Sequence, residues 1–480
     1  MMKETLVFCA PGRTNEQTNT RLRERVRARF ADRAFRIEVI ALALVVLTAF
    51  ALRVVWLDTI PGNITADEAD NLSTIIKMQV TGEPGFFGLD WKPQPAMSMY
   101  LFAAVMSIFG DDVFGLRMAS AILSTLALLP FYELARRAVR PASALGGTML
   151  LATGLWYLNF SRSGWENVHV AFYALSAAWA LTVALERRQL RWFALAGVFA
   201  ALGLYGYFAG RLIIVALLAY APFAMLWARE HHKRVILGYS VLALTAALLF
   251  LPQLQAVTSD PDTFNRRTDA VNVFDWNEPY MGKSSDLDIL RLQVERNLRG
   301  FFLFDGEMFR NGRYGPRGDT LLDPVTGVLL ISGMVIGLYR FRKTALWWAM
   351  LVIPLAATQI PTSYTPNGAR ALIVAPFMYL FVTLTLDALI DIGRRQDRRK
   401  LAAAVLAGAV LLSTVNVLNY FDWVQSPQTI EAREPAIELA DYPIWREAQI
   451  TGFERDRPIR HLGEWSRIVE ELREQAPSRQ

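Results

Sequence analysis

The stretch Ala96-Met97-Ser98-Met99-Tyr100-Leu101-Phe102-Ala103-Ala104-Val105-Met106-Ser107-Ile108-Phe109-Gly110 decides how the rest of the chain is threaded. It is uniformly apolar, yet as a helix it reaches only about 22 Å, short of a hydrocarbon core of about 30 Å. Whether it crosses a bilayer sets the side on which every later basic cluster lies. If it does not cross, Arg136-Arg137-Ala138-Val139-Arg140, Glu186-Arg187-Arg188-Gln189-Leu190-Arg191, the run 229–234, Arg340-Phe341-Arg342-Lys343 and the run 394–400 all share the side of the Arg-rich N-terminus. If it crosses, all five lie opposite. Basic loops gather on the cytoplasmic side, so 96–110 reads as an interfacial or partly re-entrant helix within the first external region.

Working outward, the other apolar segments are 37–57, 116–136, 142–160, 168–185, 191–208, 211–228, 234–255, 321–339, 344–361, 369–390 and 400–421. They predict an all-α polytopic membrane protein of about eleven spanning helices, with the N-terminus cytoplasmic and the C-terminus outside. Three parts follow: an Arg-rich cytoplasmic tail over 1–36, a transmembrane domain over 37–421, and an external tail over 422–480. The large external segments are 58–115 and 256–320. Within the second, Leu287, Leu290, Val294 and Leu298 have helical spacing, which predicts a helix lying on the membrane surface.

Composition agrees. Of 480 residues 53% are hydrophobic while 20% are charged, a combination suited to membrane helices joined by charged loops. The net charge of +6 is dispersed between apolar segments rather than gathered on one surface, which argues against a nucleic-acid partner. Cys9 is the sole cysteine, so neither an internal disulfide nor a cysteine metal site is available. The chain also lacks a glycine-rich phosphate loop, His-Glu-x-x-His and Gly-x-Ser-x-Gly, disfavouring an ATP-driven pump or a membrane metalloprotease.

Chemistry-bearing residues collect on the external face. Ile64-Thr65-Ala66-Asp67-Glu68-Ala69-Asp70 follows the first span, and Arg162, Glu166, His169, Arg211, Arg266, Arg267, Arg313 and Arg370 join it there. A carboxylate can take a proton from a hydroxyl or hold a hard cation, and arginine forks onto phosphate oxygens. Each has an ordinary reading too: acidic loops beside membrane helices are commonly only solvated, and interfacial arginines commonly snorkel. Trp165, Tyr205 and Tyr207 suit stacking on a sugar or a plain interfacial belt.

Asp67-Glu68, Lys92-Pro93-Gln94-Pro95 leading into Met99-Tyr100-Leu101, Phe109-Gly110, Leu116-Arg117-Met118-Ala119-Ser120, Ser161-Arg162-Ser163-Gly164-Trp165-Glu166 and Tyr205-Gly206-Tyr207-Phe208-Ala209-Gly210-Arg211 occur in that order. Together they resemble the polyprenyl-phosphate-dependent glycosyltransferases of the GT-C class, in the branch of bacterial proteins similar to protein O-mannosyltransferases and the aminoarabinose transferase of lipid A. The resemblance covers roughly 37–230 well and later helices in general layout. It implies that Asp67 is the catalytic carboxylate with Glu68 beside it, that Glu166 is a second outer-face acid, and that Lys92 lies near the donor phosphate. It also implies a juxtamembrane helix at 96–110. Relatives usually carry adjacent prolines where this chain has Pro93-Gln94-Pro95, and many carry Asp at the position of Glu166.

The expected function is therefore a glycosyltransferase of the bacterial cytoplasmic membrane, moving a hexose or pentose from a polyprenyl-phosphate donor to a hydroxyl of an envelope lipid, glycan or protein. Asp67, Glu68 and Glu166 would be the catalytic group, and Lys92, Arg162, Arg211, Arg370 and Tyr207 would bind substrate. Oxygen-rich sites work with or without a divalent cation; Asp67 and Glu166 are the ligands if one is bound. The competing readings are a transporter or lipid flippase, and a structural partner in an envelope complex. Transporters place ionisable groups near the midplane, often in repeated halves, whereas here they cluster at helix ends and no repeat is evident.

Overall fold

The computed structural model describes residues 32–62, 64–81, 85–88, 95–110, 112–276, 285–302, 313–316, 320–363, 365–395 and 399–432. The described residues form helices joined by turns and loops, with no β-strand; Asn272 and Thr362 make an isolated antiparallel bridge. Contacts divide the chain into two compact units, 1–48 and 49–480. In the first, the described residues form the apolar body of α1 (Arg33–Val54), with Ile37, Ile40, Leu44 and Leu47 exposed.

The second unit continues with α2 (Ala66–Thr81), α3 (Met97–Phe109), α4 (Val113–Leu126), α5 (Leu128–Arg136), α6 (Pro141–Thr153), α7 (Leu155–Ser161), α8 (Asn167–Arg187), α9 (Leu190–Leu204), α10 (Arg211–Trp227) and α11 (His232–Ser259). After these come α12 (Pro261–Ala270), α13 (Asp286–Phe302), α14 (Pro324–Tyr339), α15 (Phe341–Gln359), α16 (Gly368–Ala371), α17 (Ala375–Arg395), α18 (Arg399–Val424) and α19 (Pro427–Ala432). Every apolar segment expected to span is helical. Among the described residues seven helices are long and apolar enough to cross a membrane, while α3, α9 and α14 are apolar but shorter. The segment expected at 142–160 is two helices, α6 and α7, meeting at Gly154, whose backbone is non-helical. Of the tail expected over 422–480, residues beyond 432 lie outside the described residues, as does most of the N-terminal tail.

Helix α17 is the hub. It is apolar on nearly every side and packs against α6, α14, α15 and α18, as expected of a helix with no solvent or lipid face. Close approach there depends on small residues: a Cβ on Gly333 would sit 1.9 Å from the Phe381 carbonyl oxygen. A second layer stacks α8 on α4 and α5, α9 on α8, and α11 on α9.

Helix α3 does not run through this bundle. Along its length Ser98 approaches the Gly206 turn that follows α9, Phe102 packs on His169 in the first turn of α8, and Met106 meets Gly115 in the first turn of α4. It thus lies across the same ends of three helices, in the juxtamembrane position that its length requires. The basic clusters sit at the other ends. There Arg140 pairs with Asp387 at 3.2 Å and with Asp391, and Ser143 donates to Asp387 at 2.9 Å, tying the start of α6 to the end of α17.

Candidate active site

Helix α2 begins with a capping box. The Glu68 backbone N–H donates to Thr65 Oγ1 at 3.2 Å, while Glu68 Oε2 accepts from the Thr65 N–H at 3.0 Å and its hydroxyl at 3.2 Å. Trp165 Nε1 donates to the same Thr65 oxygen at 2.8 Å. The other Glu68 oxygen, Oε1, accepts from Arg117 Nε at 2.7 Å and from the Gly164 N–H at 3.0 Å. Both members of the Arg117–Glu68 pair have fully buried side chains. A desolvated pair of this kind holds only because its remaining donors and acceptors are filled. Arg117 does this through the carbonyls of Leu57 at 3.3 Å and Pro61 at 2.9 Å.

Arg162 works alongside. It is fully buried, and its guanidinium donates to the carbonyls of Leu52, Val55 at 2.8 Å and Ile60 at 2.7 Å. Those carbonyls end α1 and form the turn beyond it, where helical partners run out. Two buried arginines therefore fix the path from α1 into Asp67. Gly164 lets the 163–165 turn close on them, since a Cβ there would fall 2.6 Å from the Leu116 side chain and 3.6 Å from Glu68 Cγ.

Asp67 points elsewhere. Its side chain is 45% exposed, with Arg313 Nη1 at 3.6 Å from Oδ2. Next to Arg313, Tyr314 stacks on Phe160 at 5.7 Å and meets Trp165 edge-on at 5.6 Å, and Asn159 Nδ2 holds the Arg313 carbonyl at 2.8 Å. Burial pushes the Tyr314 phenol above the ordinary tyrosine range. The charge of Asp67 and then Tyr207 push the same way, while Arg313 and Arg370 oppose them. The charges of Asp67, Tyr207, Arg313 and Arg370 thus all act on one phenol.

Glu166 is 7% exposed and accepts from Asn71 Nδ2 at 3.0 Å, the same amide donating to the Gly164 carbonyl at 2.8 Å. Asn71 lies one helical turn beyond Asp67 on α2, so it locks that helix to the start of α8. Arg370 is set on α16 by Asn367, whose side chain caps its N–H at 3.0 Å, and its Nη1 donates to the Ser363 carbonyl at 2.6 Å. Trp156 and Asn167 hold the carbonyls of Gly368 and Ala369.

Arg211 is packed against aromatic rings. Its guanidinium stacks 3.7 Å from the Phe264 ring centre and 5.0 Å from that of Phe208, and Nη2 is buried with no hydrogen-bond partner. His169 is buried against Phe102 with neither ring nitrogen hydrogen-bonded. Lys92 lies outside the described residues, and the side chains of Arg266 and Arg267 are likewise not described. Among the described residues no group of three or more His, Cys, Asp and Glu is placed to hold a metal.

The structure sets Asp67 3.6 Å from Arg313, with Tyr207 and Arg370 in electrostatic reach of the adjacent Tyr314. It places Glu68 and Arg162 beneath them, in contacts with the chain itself. Sequence reasoning named no role for Arg117, Asn71 or Tyr314. The Thr65-x-x-Glu68 spacing was a readable sign that Glu68 turns back on its own helix; nothing local signals the other three.

Residues 93–255 match the family model described as dolichyl-phosphate-mannose-protein mannosyltransferase. The chain is 33% identical over 205 residues to the undecaprenyl phosphate-alpha-4-amino-4-deoxy-L-arabinose arabinosyl transferase of Pseudomonas aeruginosa, a match covering 41% of this chain and 35% of that protein. A Pseudomonas fluorescens transferase of the same description is 30% identical over 207 residues, covering 41% and 34%. The chain thus spans about a third of the length of the curated relatives it matches. Among solved structures, apo ArnT from Cupriavidus metallidurans superposes with a TM-score of 0.57 at 13% identity, covering 81% of this chain and 76% of that one. The Archaeoglobus fulgidus oligosaccharyltransferase gives 0.54 at 17% identity, covering 79% and 53%.

Proposed function

We propose that this chain, which has the GT-C glycosyltransferase fold, is an enzyme that moves one sugar from a polyprenyl-phosphate donor to a hydroxyl acceptor at the outer face of a bacterial inner membrane. The observation that carries the reading is the fate of the adjacent acids. Glu68 is fully buried with both oxygens accepting from the fold, whereas Asp67 has a side chain 45% exposed, 3.6 Å from Arg313 and within electrostatic reach of Tyr314.

In this reading an Asp67 oxygen takes the proton of the acceptor hydroxyl as that oxygen attacks the anomeric carbon. The bond from that carbon to the carrier's phosphate oxygen breaks, and the phosphate leaves with the electron pair. Arg313 and Arg370 stand where charge develops on the departing phosphate, and preformed cations at such a point contribute strongly to rate. Arg211, with one buried nitrogen unmatched, is a further phosphate contact, as Lys92 is by resemblance. Tyr207 lines the sugar, Glu166 orients α2 through Asn71, and Glu68 and Arg162 position the loop. The N-terminus lies in the cytoplasm, and the active-site end and the tail beyond α18 face outward, which keeps the basic clusters inside.

The test is transfer from radiolabelled polyprenyl-phosphate sugars in membranes bearing wild type or Asp67→Asn, with the undecaprenyl phosphate-linked 4-amino-4-deoxy-L-arabinose named for the Pseudomonas aeruginosa relative as the first donor. Loss of a general base lowers rate about 10²–10⁴-fold. Activity within a few-fold of wild type in the variant, or no transfer from any donor by folded wild type, overturns the assignment.

A further inference from the structure

The end of the bundle away from Asp67 carries a basin that the transfer reaction does not use. Helix α8 starts at the site and runs 21 residues to Arg187, about 30 Å along its axis. At that far end a cavity of about 520 Å³ is lined by Arg188, Trp227, His231 and Arg342. Two neighbours of about 230 and 250 Å³ share its walls: one adds Arg234 and Tyr220, the other Arg137, Lys343 and again Tyr220.

Charge in the basin is one-sided. Glu230 and Glu186 are the lining acids, and Glu186 is already paired with Arg137 at 3.1 Å. Arg188, Arg342 and Lys343 have no acidic partner among the described residues.

Arg188 is also held in a conformation that its side chain alone makes hard to justify. Its φ is 55°, the left-handed turn with which helices end and for which glycine is favoured, and its N–H closes α8 onto the Ala184 carbonyl at 2.8 Å. Its own carbonyl accepts from Arg234 Nε at 3.2 Å. A glycine would serve the backbone better; an arginine adds a cation at the rim.

The floor below the rim is apolar and aromatic, with Trp227 packed edge-on to Phe341 at 6.2 Å. From the basin an exposed stripe of Leu226, Phe223, Leu218 and Val215 runs along α10 toward the midplane. A cationic rim over an aromatic belt, opening onto an apolar track about one bilayer thickness from the active site, matches one ligand shape. It is a phosphate headgroup with an acyl chain attached.

We propose that this basin binds the phosphate headgroup of an anionic phospholipid in the leaflet opposite the active site, with Arg188 and Arg342 on the phosphate, Lys343 adding positive charge from the neighbouring cavity, and the chain along α10. The shared chemistry is a phosphate monoanion, which a soluble phosphate ester could also supply. Lipid is the source favoured here, because the rim opens onto the α10 stripe.

The experiment uses the full chain, purified in detergent and depleted of lipid, with thermal unfolding and native mass spectrometry as readouts. Phosphatidylglycerol, phosphatidylcholine and glycerol 3-phosphate are titrated against wild type, Arg188→Gly and the double variant Arg342→Gln with Lys343→Gln. The expected result is retention and stabilisation by phosphatidylglycerol alone, weakened about fivefold for each cation removed. Without lipid, Arg188→Gly should unfold no earlier than wild type, since its backbone strain is relieved. Should Arg188→Gly fail to fold, the double variant carries the comparison by itself. Equal binding of phosphatidylglycerol by wild type and the variants overturns the proposal, as does equal stabilisation by phosphatidylcholine or by glycerol 3-phosphate.

Discussion

Asp67 and Glu68 are successive residues whose carboxylates end in opposite environments: Glu68 lies 2.7 Å from Arg117 with both side chains fully buried, and Asp67 stands 45% exposed, 3.6 Å from Arg313. The first turn of a helix produces this split, because neighbouring side chains leave it about 100° apart. The capping box turns Glu68 back onto the chain, which leaves Asp67 facing out. The two acids therefore part, one into the packing of the chain and one toward its surface.

Replacing Glu68 by Gln should lower the unfolding temperature sharply, because Arg117 is then buried without its counter-charge, a loss of about 3–5 kcal/mol. Pairing Glu68→Leu with Arg117→Met should recover much of it. Thermal unfolding in detergent measures both; an additive double variant would show that the pair is not coupled. Asp67→Asn in the same assay should unfold like wild type.

Asn71 donates to Glu166 and to the Gly164 carbonyl. Asn71→Asp replaces the donor by a carboxylate facing another carboxylate, so it should destabilise at neutral pH by about 1–3 kcal/mol. Its folded pKa would be raised, so stability should return as pH falls and the new acid becomes protonated. A variant with the same unfolding temperature at pH 5 and pH 8 would contradict this arrangement.

The Tyr314 phenol ionises above the usual range through burial and then the charge of Asp67. A raised folded pKa means that its contribution to stability is whole below about pH 10, the unfolded value, and is lost as pH climbs toward the folded one. Wild type should therefore lose more stability than Tyr314→Phe above about pH 10. Parallel unfolding curves across that window would contradict the burial of the Tyr314 phenol.

Gly333→Ala would drive a methyl into the Phe381 carbonyl oxygen, a backbone atom 1.9 Å away that cannot swing aside. The α14–α17 contact should part, costing about 1–3 kcal/mol. Comparison with Gly408→Ala, whose Cβ would meet nothing within 4 Å, isolates the effect.

Much of this was legible in the sequence because bilayer burial is read from hydropathy and length alone. The helices, the juxtamembrane place of α3 and the exposure of Leu287, Leu290, Val294 and Leu298 on α13 all follow from that rule. The break at Gly154 was not legible, since the residues on both sides are equally apolar. Nor were the roles of Arg117, Asn71 and Tyr314. Their partners stand 49, 95 and 154 positions away where the bonds are Arg117 to Glu68, Asn71 to Glu166 and Asn159 to the residue before Tyr314. Long-range pairing leaves no periodic trace.

The outward stripe of α13 has a mechanical counterpart on its inner face. There Gln293 donates to the carbonyls of Ile360 at 3.1 Å and Thr362 at 2.7 Å and accepts from Thr365 Oγ1 at 2.8 Å, gripping the segment that leads to Arg370. A helix with one face of exposed leucines is thereby moored to the segment that carries Arg370. Any displacement of α13 along its own axis would therefore pull first on the carbonyls of Ile360 and Thr362, which lie on the path to Arg370.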